Sequence, residues 1–284
     1  MGGRLAYHQV VRAMEARAGV SPMQRFIATI QSVVQGHLDY NRYVAAGEQR
    51  ARQGAGAESI ARDLRDFFQT DLNPAVRSVH VKTSQSAVVF AFNNYNQSAQ
   101  IAVKTEISLE SGAALAGESV STRRTLVQTT LDLELCKTPT LLLFDELQAQ
   151  VSRNLSARHP LGMRRLGAVA AMLGLEGSAV AQLATLFETQ GFMPIGVAAR
   201  ALGCHQRTLE RLLKKEGITA EGIRMAVRIL RAHQRFIGHE SLTTIAHDEG
   251  FSDLAHMTRS FRASCGMTPT LLRQVLQYGQ ALAA

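Results

Sequence analysis

The sequence has few cysteines and no long apolar run. Its three cysteines, Cys136, Cys204 and Cys265, are odd in number and far apart, so their spacing indicates neither a disulfide framework nor a zinc site. This usage favours a reducing cytoplasm. No stretch of about 18 apolar residues could cross a bilayer, and the N-terminal MGGRLAYHQVVRAME lacks the apolar core of a signal peptide. We therefore expect a cytoplasmic protein without a membrane anchor.

Motifs for catalysis are also lacking. His8, His37, His80 and His159 are scattered without the paired spacing of a metal motif, and no glycine-rich phosphate loop or nucleophile elbow occurs. Cys136, in LELCKTP, is better explained as a buried strand residue than as a nucleophile. We expect no enzymatic activity, no cofactor and no metal ion.

Positive charge is in excess. The 31 lysines and arginines outnumber the 23 aspartates and glutamates, which gives a net charge of +8. This charge favours a polyanionic partner, although it does not separate DNA from RNA or from an anionic membrane. A length of 284 residues and a hydrophobic content of 46% suit a globular protein of two domains.

A helix-turn-helix pattern occurs twice in the last hundred residues. In residues 245–273, which read IAHDEGFSDLAHMTRSFRASCGMTPTLLR, Gly250 and Phe251 separate two segments with helical spacing of apolar residues. A constant offset of 48 positions relates this unit to one upstream, and such an offset with preserved chemical type indicates an internal duplication. The matched pairs are Ala198 with Ala246, Leu209 with Met257, Arg211 with Arg259, Leu213 with Phe261 and Lys214 with Arg262.

These residues resemble the DNA-binding domain of the AraC/XylS family of bacterial transcription regulators. The resemblance implies two helix-turn-helix units, at 194–215 and 241–263, joined by one long helix over 219–237. It covers residues 176–284, little more than a third of the chain. The family's pattern for the second unit is matched by Ala246, Gly250, Phe251, Met257, Arg259, Phe261, Arg262, Gly266, Thr268 and Pro269.

The second helix of each unit carries the candidate DNA contacts, because this helix enters the major groove in a helix-turn-helix. Arginine can bind guanine through two acceptors, and Glu210 could accept from a cytosine amine or pair instead with Lys214 one turn later. The candidates are His205, Gln206, Arg207, Glu210, Arg211 and Lys214 in the first unit, and Asp253, Leu254, Ala255, His256, Thr258, Arg259 and Arg262 in the second.

The second unit is the less polar of the two. Leu254 and Ala255 could touch a thymine methyl, or they could mean that this unit grips the backbone more than it reads bases. His256 is either a groove-facing donor or an ordinary solvated side chain. On the long helix, arginines at 224, 228, 231 and 235 form one stripe, for which a solvated face, structural pairing and phosphate contact are all open.

The fold class that we predict is α+β, with a sheet-containing domain over 1–175 before an all-α domain over 176–284. Ser21, Pro22 and Gln24 form a capping box that starts a helix. Alternating or β-branched residues predict strands at 76–82, 86–93, 99–110 and 125–135, with turns at 93–98 and 111–118. Further helices are predicted at 4–17, 58–69, 141–155, 162–173 and 178–188.

The resemblance implies a sequence-specific transcription regulator that binds double-stranded DNA. Most relatives are activators, so we expect contact with RNA polymerase near a promoter, and a homodimer. The N-terminal domain would sense a small-molecule effector, for which it should hold a closed pocket. Two alternatives stay open, namely a repressor and a switch whose N-terminal domain binds a regulatory protein through an exposed apolar patch.

Overall fold

The structure is a computed structural model that describes residues 5–15, 20–82, 84–100, 103–110, 119–127, most of 141–149 and 165–278. Its fold is α+β, with both small sheets in the N-terminal half and only helices after residue 165 among the described residues. The strands are β1 (Leu5–Tyr7), β2 (His37–Asp39), β3 (Val103–Glu110) and β4 (Ser119–Leu126).

Six helices precede residue 100 and eight follow residue 165 in the described ranges. The first six are α1 (His8–Glu15), α2 (Pro22–Val34), α3 (Tyr40–Arg52), α4 (Ala57–Thr70), α5 (Pro74–His80) and α6 (Gln85–Ala99). The later ones are α7 (Leu166–Met172), α8 (Ala179–Gln190), α9 (Ile195–Ala201), α10 (Gln206–Lys215), α11 (Ala220–Arg235), α12 (Leu242–Asp248), α13 (Leu254–Cys265) and α14 (Pro269–Gln277).

Helix α2 begins as its capping box predicts. The Ser21 hydroxyl accepts from the Gln24 backbone N–H at 3.2 Å, and the Gln24 side-chain oxygen accepts from the Ser21 N–H at 3.0 Å. Pro22 occupies the first helical turn, where its missing N–H costs nothing. Phe26 and Ile30 are fully buried, so one face of this helix lies in the core.

The strands predicted at 76–82 and 86–93 are wrong, because these residues lie in helices α5 and α6. Asn73 caps α5 directly before Pro74, and Ser84 caps α6 through the Ala87 N–H. The turn predicted at 93–98 is also wrong, since it falls in the last turns of α6. Tertiary packing of the apolar residues outweighed their β-branched character, which is only a weak local preference.

The sheet prediction is right for β3, which pairs antiparallel with β4 so that Val103 lies opposite Leu126. The outer edge of β3 is covered by Asn93, whose amide donates to the Ile107 carbonyl at 2.8 Å and accepts from its N–H at 2.9 Å. The strand predicted at 125–135 runs beyond the described residues after position 127. The helix predicted at 4–17 begins only at His8, since β1 precedes it and pairs with β2.

Buried polar side chains of the N-terminal half bind the ends of the last two helices. Asn73 is fully buried and donates to the Ser32 and Ser264 carbonyls at 2.6 and 2.8 Å. The Gly36 N–H donates to the same Ser264 carbonyl at 2.8 Å. Because helix C-termini leave carbonyls without helical partners, these bonds satisfy the end of α13.

Lys82 does the same for α14. Its ammonium group is buried and donates to the carbonyls of Val275, Leu276 and Tyr278 at 2.5, 3.0 and 2.7 Å. A cation at a helix C-terminus is also favoured by the helix dipole. The N-terminal and C-terminal halves are therefore joined by a hydrogen-bonded seam as well as by apolar packing.

A membrane-spanning helix would need greater length and hydrophobicity than any helix in the described ranges offers.

Two buried histidines along the seam predict that the protein loses stability in mild acid. Burial lowers the pKa of His37 to about 4 and also lowers the pKa of His233. Between pH 6.5 and 4 the unfolded chain therefore binds protons that the folded chain excludes, so the free energy of unfolding falls as the pH falls. For His37 alone the full loss is roughly 3 kcal/mol, at 1.36 kcal/mol per pKa unit.

Urea denaturation at pH values across this window measures the effect. The His37→Asn variant should show a shallower loss than the wild type, whereas His239→Asn, at an exposed position, should match the wild type. Parallel pH profiles for the wild type and His37→Asn would contradict the assignment.

Candidate nucleic-acid interface

Two helix pairs of the same design lie after residue 194. Helices α9 and α10 are joined through Gly203, and α12 and α13 through Gly250, and each glycine has a positive φ, of 71° and 78°, that favours a residue without Cβ. The inner side of α10 buries Leu209 and Leu213. The matching Met257 and Phe261 of α13 are fully buried. Burial of these faces turns the opposite faces of α10 and α13 to solvent.

The outward faces of both helices carry unpaired cations. Arg207, Arg211 and Lys214 on α10 are exposed, as are Arg259 and Arg262 on α13. None of the five forms an ion pair or a side-chain hydrogen bond within the described ranges. Cationic side chains held out at the ends of two such helices are suited to phosphate oxygens and to guanine edges.

The start of α10 differs from what the sequence suggests. His205 is exposed at the N-cap position, but its side chain makes no capping hydrogen bond. Gln206 donates to the Glu210 carboxylate at 2.8 Å. Glu210 thus pairs with the residue one turn before it and not with Lys214, the pairing considered from the sequence.

In the second unit, the polar candidates at the start of α13 hold the helix itself. The Asp253 carboxylate accepts from the His256 backbone N–H at 2.6 Å and so caps α13. The His256 ring nitrogen Nδ1 lies 3.2 Å from the Ser252 hydroxyl, and the ring meets Phe251 edge to face at 5.4 Å. Asp253 and His256 are thus engaged within the protein.

The rest of this face has few free polar groups. The Thr258 hydroxyl donates to the Leu254 carbonyl at 2.8 Å, and the Leu254 side chain is half-buried against the core. Ala255 is exposed beside Arg259 and Arg262. The outward groups without an internal partner in the described structure are therefore fewer on α13 than on α10.

The arginines of α11 connect the two units. At its N-terminal end, Arg224 donates to the Met193 carbonyl at 2.9 Å and lies 5.1 Å from the centre of the Phe187 ring. Arg228 lies over the Phe192 ring at 5.2 Å. These are cation–π contacts with residues just before the first helix pair.

At the other end of α11, two arginines converge on Glu249. Arg231 Nε lies 2.7 Å from one carboxylate oxygen and Arg235 Nη1 lies 3.1 Å from the other. The Glu249 side chain is only 4% exposed. Arg235 also binds Glu240 and Asp248, and these hydrogen bonds raise the pKa of Arg235 above its usual value.

Of the alternatives that the sequence left for this arginine stripe, the structure favours structural pairing. Sequence reasoning identified the stripe by its spacing but missed Glu249, which completes it. A glutamate between an apolar helix and a glycine turn gives no sequence signal of burial, and only its two arginine partners explain its position.

Within the described ranges, no group of three or more histidine, cysteine, aspartate or glutamate side chains could hold a metal ion. Cys136 and His159 lie outside the described residues, so the interpretation of Cys136 as a buried strand residue stays a prediction.

Comparisons with known proteins concern the same part of the chain. Residues 198–274 match a family model described as a helix-turn-helix domain. Over 69 residues the chain is 41% identical to proteins named HTH-type transcriptional activator RhaS from Pectobacterium carotovorum and Pectobacterium atrosepticum. That match covers 24% of this chain and 25% of each relative, so the chain spans about a quarter of the length of the curated relatives it matches.

A solved structure, that of the transcriptional regulator CdpR from Pseudomonas aeruginosa, aligns with 91% of this chain and 100% of its own. The identity is 13% and the TM-score 0.33, values too low to support an argument about fold or function.

The buried Glu249 predicts a large effect of a small substitution. Glu249→Gln removes the charge that faces Arg231 and Arg235 and leaves their hydrogen-bonding geometry unbalanced. We expect the free energy of unfolding to fall by about 3 kcal/mol, the cost typical of breaking a buried ion pair. Urea denaturation measures this change.

Glu240→Gln is the matched control, because Glu240 binds the same Arg235 from an exposed position. This control should lose less than about 1 kcal/mol, as surface pairs do. Equal losses in the two variants would show that Glu249 has no special part in joining α11 to the second unit.

Proposed function

We propose that this chain, whose C-terminal region is an AraC/XylS-type helix-turn-helix domain, is a sequence-specific DNA-binding transcription regulator that inserts α10 and α13 into adjacent major-groove segments. The observation that carries the proposal is the pair of exposed cationic faces at matched positions of two duplicated units. Basic charge of the whole chain supports the same partner, since phosphate contacts dominate affinity for DNA.

The connection through α11 supports a fixed relation between the two recognition helices. Because Arg224 and Arg228 contact the first unit while Arg231 and Arg235 bind Glu249 of the second, rotation of one unit against the other would break buried contacts. Two helices held in this way must meet successive major grooves about 34 Å apart, or bend the DNA towards the protein. The monomer would thus read an asymmetric, bipartite site.

The two units would contribute unequally to recognition. Arg207, Arg211 and Lys214 offer several outward groups on α10, and the Gln206–Glu210 pair lies on the same helix. On α13, Asp253 and His256 are engaged in the helix start, which leaves Ala255, Arg259 and Arg262. We infer that the first unit discriminates bases more strongly and that the second binds mainly the phosphate backbone.

Activation of transcription through contact with RNA polymerase is the sign of regulation that we propose, because the relatives matched over the domain are named transcriptional activators. Residues 1–175 would act as the regulatory and dimerisation region, and its seam with α13 and α14 gives it a direct route to the second unit. A small-molecule effector is the controlling partner that we favour. A regulatory protein is the second candidate, favoured by Leu126 and Val127, which are exposed by 44% and 51% at the end of β4.

Removal of one arginine from each recognition helix tests the interface. Arg211→Ala and Arg259→Ala should each weaken binding to the regulated promoter by about 1 to 3 kcal/mol, because each loses a charged contact to DNA. Electrophoretic mobility shift and footprinting on the promoter measure the loss. The Arg211 variant should also relax base preference at one position, whereas the Arg259 variant should weaken all sequences alike and lower the salt dependence.

Arg65→Ala is the matched control, because Arg65 is an exposed arginine on α4, far along the chain from both units. It should bind as the wild type does, and all three variants should unfold cooperatively. Normal footprints for both Arg211→Ala and Arg259→Ala would mean that α10 and α13 are not the recognition helices.

A further inference from the structure

The two recognition helices end in the same way but meet different surroundings. Each is followed by a glycine with positive φ, an apolar residue and a threonine cap, at Gly217–Thr219 after α10 and at Gly266–Thr268 after α13. Gly217 and Gly266 have φ angles of 74° and 71°. The duplication therefore extends to these turns, and each serves as a control for the other.

The turn after α13 is filled by the N-terminal half. Ser264, two residues before the glycine, has its carbonyl bound by Gly36 and Asn73. A Cβ on Gly266 would lie 2.5 Å from the Ala99 Cβ, so the approach there is too close for any side chain. The second unit is thus clasped directly.

The turn after α10 is not filled in this way. Lys215 occupies the position of Ser264, and its carbonyl accepts no hydrogen bond from the described N-terminal residues. A Cβ on Gly217 would meet nothing within 4 Å. Between this turn and helices α1 and α2 lies an open cavity of about 410 Å³, and a second one of about 350 Å³ shares Arg12, Gln31 and Gly217 with it.

The larger cavity, which we call the α2 cleft, has an apolar body and one cation. Its apolar wall comes from Ile30, Val34, Leu38 and Ile218, and Arg12 is the one charged side chain among its lining residues. A volume of about 410 Å³ falls in the range of small-molecule sites. A single cation over an apolar wall favours a ligand with one negative end and a hydrocarbon remainder.

Arg12 is poorly satisfied by the protein. Its one ion pair is with Glu15 at 3.3 Å, and its Nε is buried with no acceptor in the described part of the chain. Glu15 is bound more closely by Arg42, whose Nε and Nη2 lie 2.6 and 2.8 Å from its two oxygens. The bidentate pair with Arg42 uses both oxygens of that carboxylate, so Arg12 retains donors for a further anion.

We propose that the α2 cleft binds a small carboxylic acid with an aliphatic or aromatic body, with the carboxylate on Arg12 and the body against Ile30, Val34 and Ile218. Gln31, which also lines the cleft, supplies a second polar group beside Arg12. The ligand would bridge α2 and the turn that ends α10, so its binding would hold the first unit against the N-terminal half as Asn73 holds the second. This regulatory consequence rests on the proposed DNA-reading function, but the binding itself does not.

Isothermal titration calorimetry on the full-length protein without DNA tests the proposal. The probes are octanoate and phenylacetate, each compared with its uncharged amide, octanamide and phenylacetamide. We expect at least one acid to bind, and its amide to bind about tenfold more weakly or not at all, since a charged hydrogen bond to Arg12 is lost. Binding of neither acid, or equal binding of acid and amide, would overturn the proposal.

Two variants locate the site. Arg12→Gln should weaken the acid about tenfold, and Val34→Phe should abolish binding because the larger ring occupies the apolar wall. Arg65→Gln, on α4 and outside the cleft, should leave binding unchanged. If the acid binds equally well to folded Arg12→Gln and Val34→Phe, its site is elsewhere and the proposal fails, whatever the outcome of the promoter-binding experiments.

Discussion

The buried carboxylate of Glu249 beneath Arg231 and Arg235 is the contact on which the arrangement of the recognition helices depends. It ties the C-terminal end of α11 to the second helix pair, while Arg224 and Arg228 tie the other end to the residues before the first. A buried ion pair adds little net stability, but its directional hydrogen bonds permit only one geometry. The stripe of arginines thus fixes spacing within the protein and leaves DNA contact to the cations of α10 and α13.

The N-terminal half adds a second constraint, which acts on the two units differently. It reaches the ends of α13 and α14 through Asn73, Gly36 and Lys82, groups that are buried and fully directed at backbone carbonyls. At the matching turn after α10 it leaves the α2 cleft. An effector that fills this cleft would alter the first unit, which carries more of the outward polar groups, while the second stays anchored.

The sequence predicts most of what lies in the duplicated region, because repeated apolar positions and glycine turns report burial directly. The capping box at Ser21 and Gln24 fixed the start of α2 for the same local reason. It failed at 76–82 and 86–93, where valines and phenylalanines suggested strands but caps at Asn73 and Ser84 begin helices. The roles of Glu249 and Lys82 depend on partners 14 to 196 residues away, which no local pattern reveals.

The most direct test of the account is selection of DNA sites by the intact protein from a random library, followed by sequencing of the bound fragments. If α11 holds α10 and α13 rigidly, the selected sites should share a bipartite motif whose halves are about one helical turn, or 10 to 10.5 base pairs, apart with no variation in spacing. Insertion of about half a turn between the halves should then abolish specific binding. Selected sites with a single half, or with halves at variable spacing, would contradict a rigid pair of recognition helices.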